Sequence, residues 1–290
     1  MKIKVTAPVR VDISAGWPDS DPYRKDFGGA VLNAAIDMRV RAEFDNFLKT
    51  DYWQAKSYNG LGASGAIDAA WLVVRNPELL NDRQELIRNI WDLENRNVMH
   101  RAGTQDQAAA IYGGVNLWEF GQGPGETASI RRTAIEIKRA EKLQDKLILV
   151  DIGRPTISSN IHNFVFGHDN YEKNIPKLDR MKEIAVEMYA SLENDSEMIN
   201  LIRETWNLQK SLHKSIENPA AKVLERSIDP YFSKYALRET GSGGCAIIFA
   251  PEKEDLVKYI NSLIRSKSLP KEIKIIPFKF EYKGIKIEKS

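Results

Sequence analysis

The sequence stretch that decides the fold is Asn59-Gly60-Leu61-Gly62-Ala63-Ser64-Gly65-Ala66, a glycine-dense turn that runs into the apolar residues 67–74. Glycine residues let the backbone of such a turn come close to a ligand. The N–H groups in the first turn of the following helix have no partner within that helix, so they favour an anion. Because phosphate commonly occupies such a nest of amides, the stretch predicts a phosphate-binding turn that opens a buried helix.

Three other interpretations of this turn exist. Gly60, Gly62 and Gly65 satisfy the G-x-G-x-x-G pattern of dinucleotide sites, but that pattern requires a buried parallel strand before it. The preceding residues, 51–58, are too polar for such a strand. A Walker A loop is excluded because no Gly-Lys-Ser/Thr follows the glycines. A glycine-rich connection without a ligand remains open.

Composition narrows the class of protein. The 290 residues are enough for one large domain or for two lobes, and a net charge of +2 gives no reason to expect nucleic acid as a partner. Cys245 is the single cysteine, so no internal disulfide can form. The first seven residues lack the apolar core of a signal peptide, and no apolar run reaches the ~20 residues of a membrane span. We therefore expect a cytoplasmic protein.

Hydrophobic periodicity predicts an α+β chain. Strands are expected at residues 2–6, 10–13, 30–45, 115–120, 128–137 and 146–152, and helices at 64–75, 82–95 and 104–112. Beyond Gly153 the pattern is mostly helical, and a second glycine-rich turn at residues 239–245 leads into an apolar strand at 246–249. The lysine-rich tail alternates like strands at 271–280 and 285–287, which favours sheet edges over a polyanion site. The order predicts two lobes, strand-rich first and helical second.

A few polar residues could carry chemistry. Arg10 lies near the start of a strand, where its fork of donors could stabilise a transferring phosphate; the alternative is a surface salt bridge. Asp106, within Gly103-Thr104-Gln105-Asp106-Gln107, could accept a proton from a substrate hydroxyl, or it could simply favour a helix N-terminus. Asp19 could bind a ligand or only hydrogen-bond its own turn. The turn at residues 241–244 could help to wall a phosphate site.

Taken together, these segments resemble the GHMP kinase superfamily, named after galactokinase, homoserine kinase, mevalonate kinase and phosphomevalonate kinase. The segments that carry the resemblance are residues 7–12, 60–64, 105–107 and 240–244. The resemblance is strongest to the branch with D-glycero-D-manno-heptose phosphate kinases and the kinase part of L-fucokinases. That stronger likeness comes from residues 16–19, 28–36, 105–114, 206–210 and 277–280.

The resemblance implies a two-lobed α+β GHMP kinase fold and a small-molecule kinase that uses ATP and Mg²⁺. The N-terminal lobe, residues 1–152, would be like domain 2 of ribosomal protein S5. The C-terminal lobe, residues 153–290, would be related to the ferredoxin-like fold. The partners would be ATP and a sugar or sugar phosphate, with the site between the lobes and a homodimer left open.

The resemblance also implies a role for each site residue. Asp106 would be the catalytic base and Arg10 its partner, which polarises the hydroxyl and the phosphate. Ser64 and Glu94 would hold Mg²⁺, although a solvated helix face is the alternative for Glu94. The nucleotide phosphates would be held by Gly60, Leu61, Gly62, Ala63, Ser64, Gly241 and Gly243. The sugar would be bound by Asp19, Gly16, Trp17 and Gln105.

Some residues depart from the family pattern. Val9 stands where glycine is usual before the arginine. Residues 57–59 replace the smaller residues that usually precede the turn, and Ala63 and Gly65 replace hydroxyl residues. The leading hypothesis is a kinase for a sugar or sugar phosphate, such as the anomeric hydroxyl of a heptose 7-phosphate. One alternative is a non-catalytic relative that binds nucleotide and sugar as a sensor. Another is a kinase for a mevalonate-like or amino-acid alcohol.

Overall fold

The computed structural model describes residues 2–45, 50–54, 60–96, 102–125, 128–153, 158–241 and 243–289. The strands within these residues are β1 (Lys2–Asp12), β2 (Gly29–Asp45), β3 (Thr50–Gln54), β4 (Val115–Phe120), β5 (Ile130–Ala134), β6 (Leu147–Asp151), β7 (Ala236–Thr240), β8 (Cys245–Phe249), β9 (Lys274–Ile276) and β10 (Lys286–Lys289). The helices are α1 (Tyr23–Phe27), α2 (Ala63–Arg75), α3 (Arg83–Arg96), α4 (Gln105–Tyr112), α5 (Ile137–Gln144), α6 (Ser158–Phe166), α7 (His168–Ala190), α8 (Asp195–Leu212), α9 (Pro219–Ile228) and α10 (Lys253–Arg265). Short 3-10 turns occur at Trp17–Asp19 and Pro77–Asn81.

The first sheet is antiparallel and has the strand order β10-β1-β2-β4-β5, with β3 also paired to β2. Because side chains alternate along a strand, the apolar residues of β1 at positions 3, 5, 7, 9 and 11 all join the hydrophobic core. Arg10 and Asp12 fall between them. The register of β1 against β2 shifts between Pro8 and Arg10, where proline has no N–H to donate.

The second sheet is also antiparallel, with the order β7-β8-β6-β9. The β6 residues Leu147 and Leu149 join the core shared with the first sheet and with α7 and α8. Ile148 and Val150 point to the other face, where α9 and α10 cover them. Burial of both faces explains why β6 is an uninterrupted apolar run in the sequence.

Several predictions from periodicity are confirmed. The chain is α+β, α2, α3 and α4 begin and end within one residue of the predicted helices, and β9 and β10 both lie at sheet edges. The Rossmann interpretation is wrong because β3, the strand before the first glycine turn, pairs antiparallel to its neighbour.

Among the described residues, none of the helices is both long enough and apolar enough to cross a bilayer.

Other predictions need correction. The two short strands expected at residues 2–6 and 10–13 are one strand, β1, because the register shift accommodates Pro8. The strand expected at 128–137 is shorter, since α5 begins at Ile137. The strand expected at 271–280 is limited to β9, which ends before Pro277.

The predicted lobe boundary at residue 152 stays a prediction, although β10 from the end of the chain completes the first sheet. Residues 57–59, which depart from the family pattern, and Ser242 of the second glycine turn lie outside the described residues.

Candidate active site

The first glycine turn opens α2 with two residues in the left-handed region. Gly60 has a φ of 73° and Gly62, the N-cap of α2, a φ of 68°. Such angles favour glycine, which has no Cβ to clash with the backbone. Ser64, in the first turn of α2, is exposed. The turn thus directs the free end of α2, with its partial positive charge, toward solvent.

The two glycine turns are in direct backbone contact although 180 residues separate them. The Thr240 hydroxyl donates to the Gly60 carbonyl at 2.7 Å. A Cβ at Gly60 would lie 2.5 Å from the carbonyl oxygen of Gly243, and a Cβ at Gly241 would lie 2.7 Å from the Gly60 carbonyl oxygen. Larger side chains at these positions would push the turns apart.

Arg10 and Asp106 form a partly buried ion pair beside the first turn. Arg10 Nε and Nη2 both lie 2.7 Å from Asp106 Oδ1, and Nη1 donates to the Gly60 carbonyl at 2.8 Å. Burial alone would lower the pKa of Arg10, but the carboxylates of Asp106 and Asp12 outweigh it, so the pKa is raised. The Asp106 side chain is 25% exposed while that of Arg10 is 5% exposed, so the carboxylate can reach a ligand.

Asp12 joins this pair to the second glycine turn. Its two carboxylate oxygens each accept the Gly241 N–H at 3.1 Å, and Oδ1 lies 3.7 Å from Arg10 Nη1. The fully buried Arg238 donates to the Asp12 and Ser14 carbonyls and lies 3.4 Å from Asp12 Oδ2. One carboxylate therefore fixes the positions of both the catalytic candidate Arg10 and the second turn.

Glu94 on α3 faces the start of α2. Its carboxylate accepts hydrogen bonds from the Ser64 hydroxyl and from Gln107 Nε2. The pKa of Glu94 is raised to about 8, first by burial and then by the charges of Asp106 and Asp68, and the two hydrogen bonds oppose this rise. The described part of the chain contains no cluster of three or more His, Cys, Asp or Glu side chains that could hold a metal ion by themselves.

These oxygen atoms nonetheless suit a hard cation held together with phosphate. Mg²⁺ usually takes one or two protein oxygens and fills its other positions with phosphate and water. Ser64 and Glu94 offer a hydroxyl and a carboxylate at the helix end. A cation there would offset the burial and the neighbouring negative charges that raise the pKa of Glu94. The donor set therefore fits the ion that the family resemblance implies.

The predicted sugar-binding residues lie at the start of α4, the helix that carries Asp106. Asp19 is buried and its Oδ2 accepts the Gln105 N–H at 2.9 Å. A Cβ at Gly16 would overlap the Gln105 side-chain amide, so the loop packs directly on α4. Trp17 is buried, with its ring 5.0 Å from that of His162 on α6.

The structure thus brings the predicted residues together around the start of α2 and α4, and the predicted Arg10–Asp106 pairing is confirmed. Their roles stay predictions. The sequence analysis included two supporting residues in its motifs but gave them no role: Asp12, which lies on the same strand face as Arg10, and Gln107, which orients Glu94. The two-residue spacing of Arg10 and Asp12 was the available signal for the first.

Known proteins resemble this chain in sequence and in fold. No family model matches the sequence. The chain is 21% identical over 341 residues to the D-glycero-alpha-D-manno-heptose 7-phosphate kinase of Campylobacter jejuni, with 98% of each protein covered. It is 22% identical over 320 residues to the bifunctional fucokinase/GDP-fucose pyrophosphorylase of Arabidopsis thaliana, which covers 87% of this chain. The chain spans only 30% of the length of that relative.

The fold is shared with a solved D-glycero-D-manno-heptose 1-phosphate kinase from Bacteroides thetaiotaomicron. The TM-score is 0.72 at 20% sequence identity, and the match covers 99% of both chains. At this identity the structural likeness establishes the fold. The sequence matches and the shared fold are both with sugar kinases of the kind that the motifs resemble.

Proposed function

We propose that this protein is an ATP-dependent kinase that transfers the γ-phosphoryl group to a hydroxyl of a sugar or sugar phosphate. The observation that carries the proposal is the position of Asp106: a Cβ at Gly62 in the first glycine turn would lie 2.9 Å from Asp106 Cγ. A carboxylate this close to a phosphate-binding turn can receive the proton of an attacking hydroxyl. The sugar kinases among the relatives support the same reaction class.

The nucleotide phosphates would lie on the amides of residues 60–64, with Gly241 and Gly243 closing the other side. Helix dipole and unpaired first-turn amides both favour this place for a polyanion. Ser64 and Glu94 would hold Mg²⁺, which neutralises charge on the transferred phosphoryl group when it is bound. A single buried thiol at Cys245 and a need for ATP are consistent with a cytoplasmic protein.

In this mechanism Arg10 has two tasks. Its two donors to Asp106 hold the carboxylate beside the first glycine turn, where it can accept the proton of the hydroxyl. Its guanidinium also stabilises negative charge that develops between the attacking oxygen and the phosphorus. Because little covalent chemistry falls to the protein in phosphoryl transfer, positioning of the hydroxyl and the phosphate supplies most of the rate.

The acceptor would lie beside Asp106, bordered by Gly16, Trp17, Asp19 and Gln105. The relatives include proteins named as heptose 7-phosphate, heptose 1-phosphate and fucose kinases. We propose the anomeric hydroxyl of a heptose 7-phosphate as the first acceptor to test. The aromatic and polar character of Trp17 and Gln105 suits a sugar ring better than an aliphatic alcohol.

The test is a phosphotransfer screen with ATP, Mg²⁺ and a panel of hexoses, heptoses, their phosphates and mevalonate-like alcohols. We expect turnover with a sugar acceptor and a loss of roughly 10²–10⁴-fold in kcat for Asp106→Asn, with ATP binding retained. Asp255→Asn, which changes an exposed carboxylate on α10 paired with Lys258, is the matched control. Binding of ATP and sugar without turnover would favour the sensor alternative, and full activity of the Asp106→Asn variant would contradict the assignment of the base.

A further inference from the structure

Arg238 on β7 is a fully buried cation that reaches the end of β1. Its guanidinium donates to the Asp12 and Ser14 carbonyls and to the side-chain oxygen of Gln209 on α8 at 3.2 Å. Burial lowers the pKa of Arg238, and the nearby Arg10 adds to this, whereas Asp12 is the strongest opposing charge. Because a buried charge is tolerated only when it is paired, the Asp12 carboxylate is what accommodates Arg238.

Asp12 lies between two arginines and is itself buried. Its Oδ2 is 3.4 Å from Arg238 Nη2, and its Oδ1 is 3.7 Å from Arg10 Nη1. Among the described residues, these two arginines are the cations within 4 Å of the carboxylate. Opposite charges attract each other more strongly where water is excluded, so the Asp12 carboxylate attracts both of them.

Arg10 has two carboxylates within reach but contacts one of them closely. Its Nε and Nη2 each lie 2.7 Å from Asp106 Oδ1, which is the length of a charge-assisted hydrogen bond. Its distance of 3.7 Å from Asp12 is too long for such a bond. The guanidinium of Arg10 is therefore bound to the candidate base, although a second, buried carboxylate lies beside it.

We infer that Arg238 is a positioning residue: it is the counter-charge of Asp12, and it thereby leaves Arg10 free to bind Asp106. Without a cation at position 238, the Asp12 carboxylate would draw Arg10 toward itself. Asp106 would then lose the contact that holds it beside the first glycine turn. The inference rests on the proposed kinase function and deepens it, because Arg10 and Asp106 are the residues assigned to the transfer.

A double-mutant cycle in steady-state kinetics tests this competition, with kcat corrected for the folded fraction. Arg238→Gln leaves Asp12 without its counter-charge, so we expect kcat to fall roughly 10²-fold. Adding Asp12→Asn removes the competing charge and keeps an acceptor for the Gly241 N–H. The double variant should therefore regain at least ~10-fold in kcat over Arg238→Gln alone. Wild-type kcat in Arg238→Gln, or no recovery in the double variant, would overturn the inference.

Two further variants separate charge from packing. Arg238→Lys keeps the positive charge but not the planar fork of donors, and it should keep more of kcat than Arg238→Gln. Arg39→Gln is the matched control elsewhere on β1, since Arg39 donates to the Thr6 carbonyl at 2.9 Å and lies 3.0 Å from the Glu281 carboxylate. It should lower stability and leave kcat unchanged. An Arg238→Lys variant as slow as Arg238→Gln, or an equal loss of kcat in Arg39→Gln, would overturn the inference.

Crystal structures of the unliganded variants provide a readout that does not depend on activity. In Arg238→Gln we expect Arg10 Nη1 to move to about 2.9 Å from Asp12 and the contacts of 2.7 Å with Asp106 to be lost. In the double variant, the contacts between Arg10 and Asp106 should be those of the wild type. An Arg10 that stays in place in Arg238→Gln would overturn the inference.

The double variant also decides the case in which Arg238→Gln does not fold, because it leaves no unpaired charge at either position. Displacement of Arg10 from Asp106 in the double variant would overturn the inference, since Asp12→Asn can no longer compete for Arg10. A wild type that is inactive with every acceptor would contradict the proposed function instead, and the structures of the variants would still decide the role of Arg238.

Discussion

The substitution Gly62→Ala adds a methyl group next to the Arg10–Asp106 pair of the candidate site. Gly62 has a φ of 68°, a conformation that costs an L-residue with a side chain about 1–2 kcal/mol. The new Cβ would lie 2.9 Å from Asp106 Cγ and 3.0 Å from Arg10 Nε, whereas non-bonded carbon atoms prefer ~3.5–4 Å. The Arg10–Asp106 pair would therefore have to move by about 0.5–1 Å.

We expect Gly62→Ala to lower the free energy of unfolding by about 1–3 kcal/mol and to reduce kcat by roughly 10²-fold. Urea unfolding measures the first quantity, and phosphotransfer to the best sugar acceptor at saturating ATP measures the second. The fall in kcat should be larger than the fall in the folded fraction of the protein. The reason is that the displaced side chains, Arg10 and Asp106, are those proposed to act on the hydroxyl.

Gly123→Ala is the matched control for backbone strain. Gly123 also has a positive φ, 93°, but a Cβ there would meet no heavy atom within 4 Å. Its stability should fall by about 1–2 kcal/mol while kcat stays at the wild-type value. The reasoning would be refuted if Gly62→Ala kept wild-type turnover, or if Gly123→Ala lost as much activity as Gly62→Ala.

Three further substitutions test other contacts. Ser64→Ala removes the hydroxyl that bonds Glu94 and should raise the Mg²⁺ concentration for half-maximal activity roughly 10-fold; an unchanged Mg²⁺ titration would argue against the role of Ser64. Arg10→Lys cannot reproduce the planar contacts with Asp106 and the Gly60 carbonyl, so kcat should fall about 10²-fold, and near-normal kcat would contradict its role. Glu239→Gln tests pH-dependent stability: burial raises the pKa of Glu239 from 4.5 to about 8, so the wild type loses stability as pH rises between these values. The variant keeps the acceptor for the Asn218 N–H, so its free energy of unfolding should exceed that of the wild type by about 1–3 kcal/mol at pH 8. Thermal unfolding should show this difference shrinking toward lower pH. A difference that does not vary with pH would refute the reasoning.

Local patterns in the sequence were enough to predict much of the fold. The apolar stripe of α3 and the continuous apolar run of β6 specify a helix and a buried strand without reference to the rest of the chain. Strand β7 was not predicted because Arg238 and Glu239 make it look polar. Both side chains are buried, and their partners, Asp12 and the Asn218 N–H, lie far away in the sequence.

In the candidate site, too, some contacts could be predicted from the sequence and others could not. Motif resemblance was enough to single out Arg10 and Asp106, and their ion pair is present in the structure. The packing of Gly60 on the second glycine turn joins backbones 180 residues apart, which no local pattern encodes. The burial of Asp19 was likewise invisible, since a carboxylate in a turn is more often exposed, and its partner amides belong to a helix 86 residues further along.

The central claim is that the two glycine turns hold a triphosphate whose terminal phosphate faces Asp106. A crystal structure with a non-hydrolysable ATP analogue and Mg²⁺ tests this most directly. We predict the phosphates on the amides of residues 60–64, the metal ion bound by Ser64 and Glu94, and the terminal phosphate beside Arg10 and the Asp106 carboxylate. A nucleotide bound elsewhere, or a terminal phosphate separated from Asp106 by packed side chains, would contradict the account.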